Sequence, residues 1–501
     1  MQFVDGQTLT RWQLLDDSRR VAGGLRAAGI GPGDRVAIMS GNRPEFLTTF
    51  FAISMLGAVS VPLNTALQGD VLTYMLQDVG PCSLIIESDL LSQASSSITA
   101  GGVQRLWIIG TTVEPNEGRP FEELEAAAPW EGGVQVEPWD LAAILYTSGT
   151  TGRSKGVMWS HQMALSFSDN ATWVMGYTAN DVAYTCLPLY HINALFTSLL
   201  PALREGGSVA VSKRFSASRY WSEIVATGAT VTNMLGVIGS ILWKQSPSPE
   251  ERQHRLRLVL IIPFPAGYRE EFEARFGVKT TELYGSTDTG IPLGIPFGQK
   301  RPESCGIAAP GWEVDIVDPH DSSLPPGVAG ELVTRPISPF VGQLGYWNQP
   351  EKTWEAHRNC WFHTGDIFVR DDEGWYSYKD RQKDAMRVSG ENVSSFEVEQ
   401  VLVSHPAVAE AAVYAVPSEL GEDSIMAAIV LEKGFETISV SDLIAFCVPR
   451  MAYFSVPRYV DFLPSLPKTS TLKVRKSVLR ERGVSKTALD VGQRRRSQMD
   501  S

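Results

Sequence analysis

Residues 146–156 read YTSGTTGRSKG and follow a short apolar run at 141–145. Glycines let backbone N–H groups approach a bulky anion, threonine and serine add O–H donors, and Lys155 adds charge. Together they suit a phosphate. Their order is not that of the Walker loop, G-x-x-x-x-G-K-[ST]. Counting from Gly149, Ser154 stands in the place of the second glycine, and Lys155 precedes Gly156 instead of a hydroxyl residue. On composition alone the stretch also suits an ordinary surface turn, which favours the same residue types. The rest of the chain must decide.

The elements that would carry such a loop can be read from hydropathy. Between residue 9 and about residue 290, apolar runs recur: RVAIM, CSLII, LWIIG, LAAILYT, VAYTCLP, SVAVS, ATVTNML and LRLVLII. Amphipathic segments such as 9–29 lie between many of them, an alternation that predicts layered α/β structure with largely parallel sheets. From about 300 to 380 Gly/Pro turns separate short strands (GWEVDIVD, GELVTR, GWYSYKD), which predicts an antiparallel β subdomain. After DRQKDAMRVSGEN comes a compact α+β pattern with a helix in SSFEVEQVLVSHP and a strand in VAEAAVYAVP. The expected division is a large N-terminal region, 1–382, a small mobile C-terminal domain, 383–490, and a polar, disordered tail, 491–501. No internal repeat is visible.

Composition narrows the function. The 501 residues include 44 basic and 56 acidic side chains, a net charge of −12, which argues against general nucleic-acid binding. The five cysteines (82, 186, 305, 360 and 447) form no C-x-x-C pair, so neither a disulfide framework nor a zinc site is expected, and a reducing, cytoplasmic setting fits. The N-terminus does not read as a secretory signal. The most apolar stretch, 46–63, is interrupted by Thr, Ser, Gly and Pro; it predicts a buried helix, with Asn42 as cap and Pro44 in the first turn, then a strand. No transmembrane segment is expected.

Further blocks then appear in a fixed order: PLYH at 188–191, YGSTD at 284–288, GEL at 330–332, GYW at 345–347, HTGD at 363–366, DRQKD at 380–384, SGENVSSFEVE at 389–399 and PKTSTLK at 467–473. With YTSGTTGRSKG, this series resembles the adenylate-forming superfamily of acyl-CoA synthetases, firefly-type luciferases and adenylation domains. The resemblance spans almost the whole chain. The segment IIPFPA (261–266), where many relatives carry Gly-Gly-Ala, together with ERQHRLR (251–257) and SGENVSSFEVE (389–399), is most similar to the crotonobetaine/carnitine–CoA ligase branch.

The resemblance implies ATP, Mg2+ and CoA as partners of a small carboxylic acid. It assigns Thr147, Ser148, Gly149, Thr150, Thr151, Gly152 and Lys155 to the β- and γ-phosphates, and Tyr284, Gly285, Ser286 and Thr287 to adenine and the α-phosphate. Asp288 stands where relatives usually hold the metal with Glu, and Thr147 is the second protein group near that ion; carboxylate and hydroxyl oxygens both suit magnesium. Asp366 would accept the ribose hydroxyls, with Arg381 and Lys383 near ribose and phosphate. His191 would lie beside the acyl carboxylate, and Asn193, Asn233 and Gly236 would line the acyl pocket. Two amides there suit an acid carrying a polar group.

Lys473 is the expected catalytic cation, bridging the incoming carboxylate and the α-phosphate. Leu472 replaces the glycine that usually precedes it. In the family the small domain then rotates about the residue matching Lys383, withdrawing Lys473 and bringing Ser389 and Gly390 over the pantetheine arm of CoA. The resemblance leaves three readings open: an acyl-CoA ligase, an enzyme that loads a carrier protein, and a non-catalytic nucleotide-binding homologue. Oligomeric state and the particular acid are not legible.

Overall fold

The computed structural model describes residues 1–492, except 5, 111–117, 148–153, 265–267, 382–383, 385, 389–390, 418–422, 436, 452 and 470–472. Among the described residues, the apolar runs build two mainly parallel sheets. One has the spatial order Arg119–Pro120, Val103–Ile109, Cys82–Glu87, Arg35–Met39, Val59–Pro62, Leu141–Thr147 and Lys155–Ser160. Only its last pair is antiparallel, joined by the glycine-rich loop. The other runs Gln2–Phe3, Ser208–Val211, Val182–Thr185, Val231–Leu235, Leu258–Ile262 and Thr280–Thr281, parallel throughout. Continuous Val/Ile/Leu runs, without alternation, are what a sheet covered on both faces requires.

Helices cover these faces. The first, Arg11–Ala27, opens with a reciprocal capping box between Thr10 and Gln13 and buries Leu14, Val21, Ala22 and Leu25. The stretch 46–63 forms helix Pro44–Met55 and strand Val59–Pro62, and no helix among the described residues is long and apolar enough to cross a membrane. Its start differs from expectation. Arg43 occupies the cap position without a side-chain cap bond. Buried Asn42 turns inward instead: its amide donates to the carbonyls of Leu187 (2.9 Å) and Ser212 (2.8 Å), and its oxygen accepts from the N–H of Leu189 (2.8 Å). Three buried main-chain groups outbid a helix end that Pro44 already starts.

The antiparallel region holds strands Trp312–Val317, Gly330–Pro336, Phe362–Arg370 and Tyr376–Arg381, beside a smaller sheet of Leu283–Ser286, Gly290–Gly294 and Ile307–Ala308. The C-terminal part contains a hairpin, Met386–Val388 with Glu391–Val393, and a mixed sheet of Val408–Pro417, Asp423–Leu431, Tyr459–Phe462 and Leu489–Asp490. Its apolar core, built on Val388, Leu402, Val413, Ile429 and Leu443, takes its buried members from residue 386 onward. All five cysteines are free thiols.

Candidate active site

The strand pair flanking the glycine-rich loop fixes two of its residues. Thr147 and Lys155 face each other in the last register of the ladder, so both stand at the open end of the sheet. The intervening Ser148, Gly149, Thr150, Thr151 and Gly152 lie outside the described residues. Strand Lys155–Ser160 is held on its other edge by the GYW segment: Leu344 donates to the Met158 carbonyl (2.9 Å), Met158 to that of Gly345 (2.9 Å), and Trp347 to that of Gly156 (2.8 Å). This pairing seats the Tyr346 ring 3.9 Å from the Lys155 ammonium.

Tyr346 also reaches Asp288. Its hydroxyl donates to Asp288 Oδ1 at 2.6 Å, and burial, followed by the Asp288 charge, drives the phenol pKa well above its ordinary value. From the neighbouring turn of the same strand, Trp159 Nε1 donates to the Thr287 carbonyl (2.8 Å), and Ser286 Oγ accepts from the N–H of Asp288 (3.2 Å). Thr147, Lys155, Thr287 and Asp288 are therefore carried on elements tied directly together. Gly285 is packed too closely for any side chain, since a Cβ would lie 2.5 Å from the Gly290 carbonyl oxygen.

No group of three His, Cys, Asp or Glu side chains suited to a metal occurs among the described residues. One carboxylate and one hydroxyl do not make a resident metal cage. They do fit Mg2+ of the kind that arrives with a nucleotide and takes most of its ligands from phosphate and water.

Asp366 lies on strand Phe362–Arg370, buried to 8% exposure, and accepts a hydrogen bond from the Tyr284 hydroxyl at 2.6 Å. Its own N–H donates to Thr364 Oγ1 (3.1 Å), and its ladder partner is Arg381, of which only the backbone is described. The IIPFPA segment places a buried aromatic ring, Phe264, against Arg269, whose guanidinium lies 4.3 Å from the ring centre. Glu282 accepts from the Phe264 N–H (2.9 Å) and pairs with Arg269. Residues 265–267 of the same segment lie outside the description.

The PLYH loop is the segment pinned by Asn42. His191 stacks edge-on against Tyr190, with ring centres 4.7 Å apart, and its Nε2 is buried without a hydrogen-bond partner among the described residues. Burial, reinforced by the nearby Lys473 ammonium, pushes the imidazole down to about 4, so it is neutral near pH 7. Lys473 itself is exposed and sits on a turn where its N–H donates to Thr469 Oγ1 (3.2 Å) and its carbonyl accepts from the Thr469 N–H (2.7 Å). Lys473 and neutral His191 come from distant parts of the chain, and the lysine charge is felt at the imidazole.

Beyond His191 the chain forms a π-helical turn, Asn193–Leu199. Asn233 donates to the Asn193 side-chain oxygen and accepts from Ser198 Oγ (2.9 Å), so the two amides form one network instead of two separate contacts. Gly236 opens helix Gly236–Lys244, where a Cβ would collide with the Pro263 carbonyl oxygen. Lys383, Ser389 and Gly390 lie outside the described residues. Sequence reasoning took Asn42 for a helix cap and did not single out Glu282 or Tyr346. Only Tyr346 carried a signal, as the centre of the GYW block.

The layered sheets, with Thr147 and Lys155 paired at the end of one of them and tied to Asp288 through Tyr346, define an adenylate-forming fold. The chain belongs to the AMP-binding enzyme family: that family's model matches residues 1–347, and the model of the AMP-binding enzyme C-terminal domain matches 397–473. Crotonobetaine/carnitine–CoA ligase of Salmonella paratyphi A is 31% identical over 93% of this chain and 92% of its own length, and the Escherichia coli protein of that name is 30% identical over 94% and 93%. Among solved structures, ATP-bound MatB from Rhodopseudomonas palustris superposes with a TM-score of 0.86 at 30% identity, covering 96% of this chain and 94% of that one. The anthranilate CoA ligase AuaEII, in complex with anthranoyl-AMP, gives 0.89 at 25%, covering 96% and 93%.

Proposed function

We infer that this chain is an ATP-dependent, AMP-forming acyl-CoA ligase acting on a small carboxylic acid with a polar substituent, with Mg2+ accompanying the nucleotide. The observation that carries the reading is the tie of Lys155 to Asp288 through Tyr346, which sets a cation and a carboxylate together beside the glycine-rich segment. In the first half-reaction a carboxylate oxygen attacks the α-phosphorus, the bond to the bridging oxygen breaks, and pyrophosphate leaves. Lys473 offsets the charge that gathers between carboxylate and phosphate. Lys155 and the loop beside it bind the departing phosphates, Asp366 and Arg381 orient the ribose, and Mg2+, near Asp288 and Thr147, neutralises phosphate charge when bound. Neutral His191 shapes the carboxylate site without adding charge.

In the second half-reaction the CoA thiolate attacks the carbonyl carbon of the mixed anhydride and AMP departs. A free thiol has a pKa of about 8.5, so the site gains by holding the thiolate in line with the anhydride. Every buried member of the cores built on Leu402 and on Tyr414 lies at residue 386 or beyond, which supports rotation of 383–490 about Lys383, with Ser389 and Gly390 meeting pantetheine. The Asn193–Asn233–Ser198 network supports a polar substituent on the acid. A cytoplasmic location agrees with the free thiols and the need for ATP and CoA. Pyrophosphate release measured over a library of acids, with and without free CoA, tests the reading. Release in step with thioester formation is expected; release that never yields a CoA thioester would reassign the chain to carrier loading, and no release with any acid would remove the catalytic assignment.

A further inference from the structure

We propose that Tyr346 is a positioning residue for the nucleotide's metal and phosphates, holding the Asp288 carboxylate with its hydroxyl and the Lys155 ammonium with its ring face. The proposal rests on the ligase reading for the identity of the ligand, MgATP. It does not rest on it for the geometry. The tyrosine is 3% exposed. Its backbone is fixed on both sides: its N–H donates to Thr353 Oγ1 at 2.8 Å, it bridges Val157, and its neighbours Gly345 and Trp347 pair with the strand that begins at Lys155. A ring held this way cannot drift, so whatever it touches is placed with it.

Two charged groups touch it. The hydroxyl meets Asp288 Oδ1 at 2.6 Å, and Lys155 Nζ lies 3.9 Å from the ring centre, within the range of cation–π attraction. An ionised carboxylate offers about four lone-pair sites, so one donated hydrogen bond fixes its rotamer and leaves oxygen free for a metal or its water. Asp288 needs that help more than a glutamate would. Its side chain is one methylene shorter than a glutamate's, so it reaches less far, and a wrong rotamer turns it away from the phosphates altogether. The shortened acid and the phenol thus act as one unit, and the same phenol keeps the phosphate cation from swinging into solvent.

The test measures binding apart from catalysis, by calorimetric titration of ATP into the full chain in EDTA and over a range of Mg2+. Tyr346→Phe keeps the ring and loses the hydroxyl. It should raise the Mg2+ needed for half-maximal enhancement of ATP binding by roughly fivefold or more, and change ATP affinity in EDTA by less than about twofold. Adding Asp288→Glu to Tyr346→Phe should recover most of the loss, because the longer side chain no longer needs the tether. Tyr346→Leu removes hydroxyl and ring, and should also weaken ATP in EDTA by about threefold or more. An unchanged Mg2+ requirement in Tyr346→Phe overturns the proposal, as does an equal loss with and without Mg2+, which would mark a merely structural residue. A wild-type chain that binds no ATP overturns both this proposal and the ligase reading; one that binds ATP with an unaltered variant overturns this proposal alone.

Discussion

Lys155 and Lys473 rest on opposite kinds of support. Lys155 begins a strand paired on both edges, and its ammonium rests over a buried ring. Lys473 is exposed on a short turn, in a part of the chain whose core is its own. Among the described residues, polar contacts tie that part to the rest near residue 380 and on helix Gly236–Lys244, beside an edge-on ring contact of Tyr378 with Phe396. Asp380 accepts from the Ser395 N–H (2.5 Å), Ser394 Oγ donates to the Lys379 carbonyl (2.6 Å), and Lys244 reaches Glu432 (3.3 Å) and the Val408 carbonyl. A cation that binds phosphate throughout belongs in a wall. One that serves a single step is better carried on a part that can leave.

The sharpest way to break this contrast is Lys473→Ala. It should lower adenylate formation at least about tenfold, roughly 1.4 kcal/mol of transition-state stabilisation, while thioester formation from supplied acyl-adenylate stays within about threefold. Parallel measurement of pyrophosphate release and thioester appearance checks this; equal losses in both steps would mean that Lys473 is as fixed as Lys155.

Lys244→Ala probes the contact between the two parts. Burial lowers the pKa of this lysine and the Glu432 charge opposes that shift, so the pair is poised instead of strongly favourable. Its loss should slow adenylate formation by about two- to threefold and leave thioester formation equal or faster, consistent with the modest worth of such pairs. A uniform decrease in both half-reactions would make it a structural contact.

The smallest effect concerns His191. Its folded pKa of about 4 lies below the ordinary value of about 6.5, so the unfolded chain takes up a proton first as pH falls. Stability therefore drops between about pH 6.5 and about pH 4, and His191→Gln should flatten that part of a denaturation series. Removing the Lys473 charge should raise the imidazole pKa by a fraction of a unit, observable in the NMR titration of the ring protons. No rise would mean that the two groups are farther apart in solution.

Much of this arrangement could be read from the chain. Parallel strands were legible because both faces are buried, so RVAIM, CSLII and LRLVLII run apolar without interruption. The glycine-rich segment and the Asp366 block were legible as motifs, because each keeps its residue types within one ordered series of blocks. Residues that act on other residues were not. Asn42 looks like a helix cap because its neighbours, Arg43 and Pro44, are those of a helix start, yet its partners lie far along the chain at 187, 189 and 212. Glu282 is invisible for the same reason: its task is to brace Phe264 and Arg269, and nothing nearby in sequence announces that. The amide network was half legible, since the two asparagines suggested a polar pocket while Ser198 inside a π-helical turn gave no periodic signal.

Asn42 grips the loop before His191 only through main-chain atoms, the Leu187 carbonyl and the Leu189 N–H. No side chain between 187 and 193 is read by that grip. The clamp is therefore indifferent to the loop's spelling, and residues such as Tyr190 and Asn193 can be exchanged without loosening the anchor that sets their position. A lineage, or an engineer, seeking a new acid would find the letters of this wall free to change while its placement is inherited from an asparagine on another strand's end.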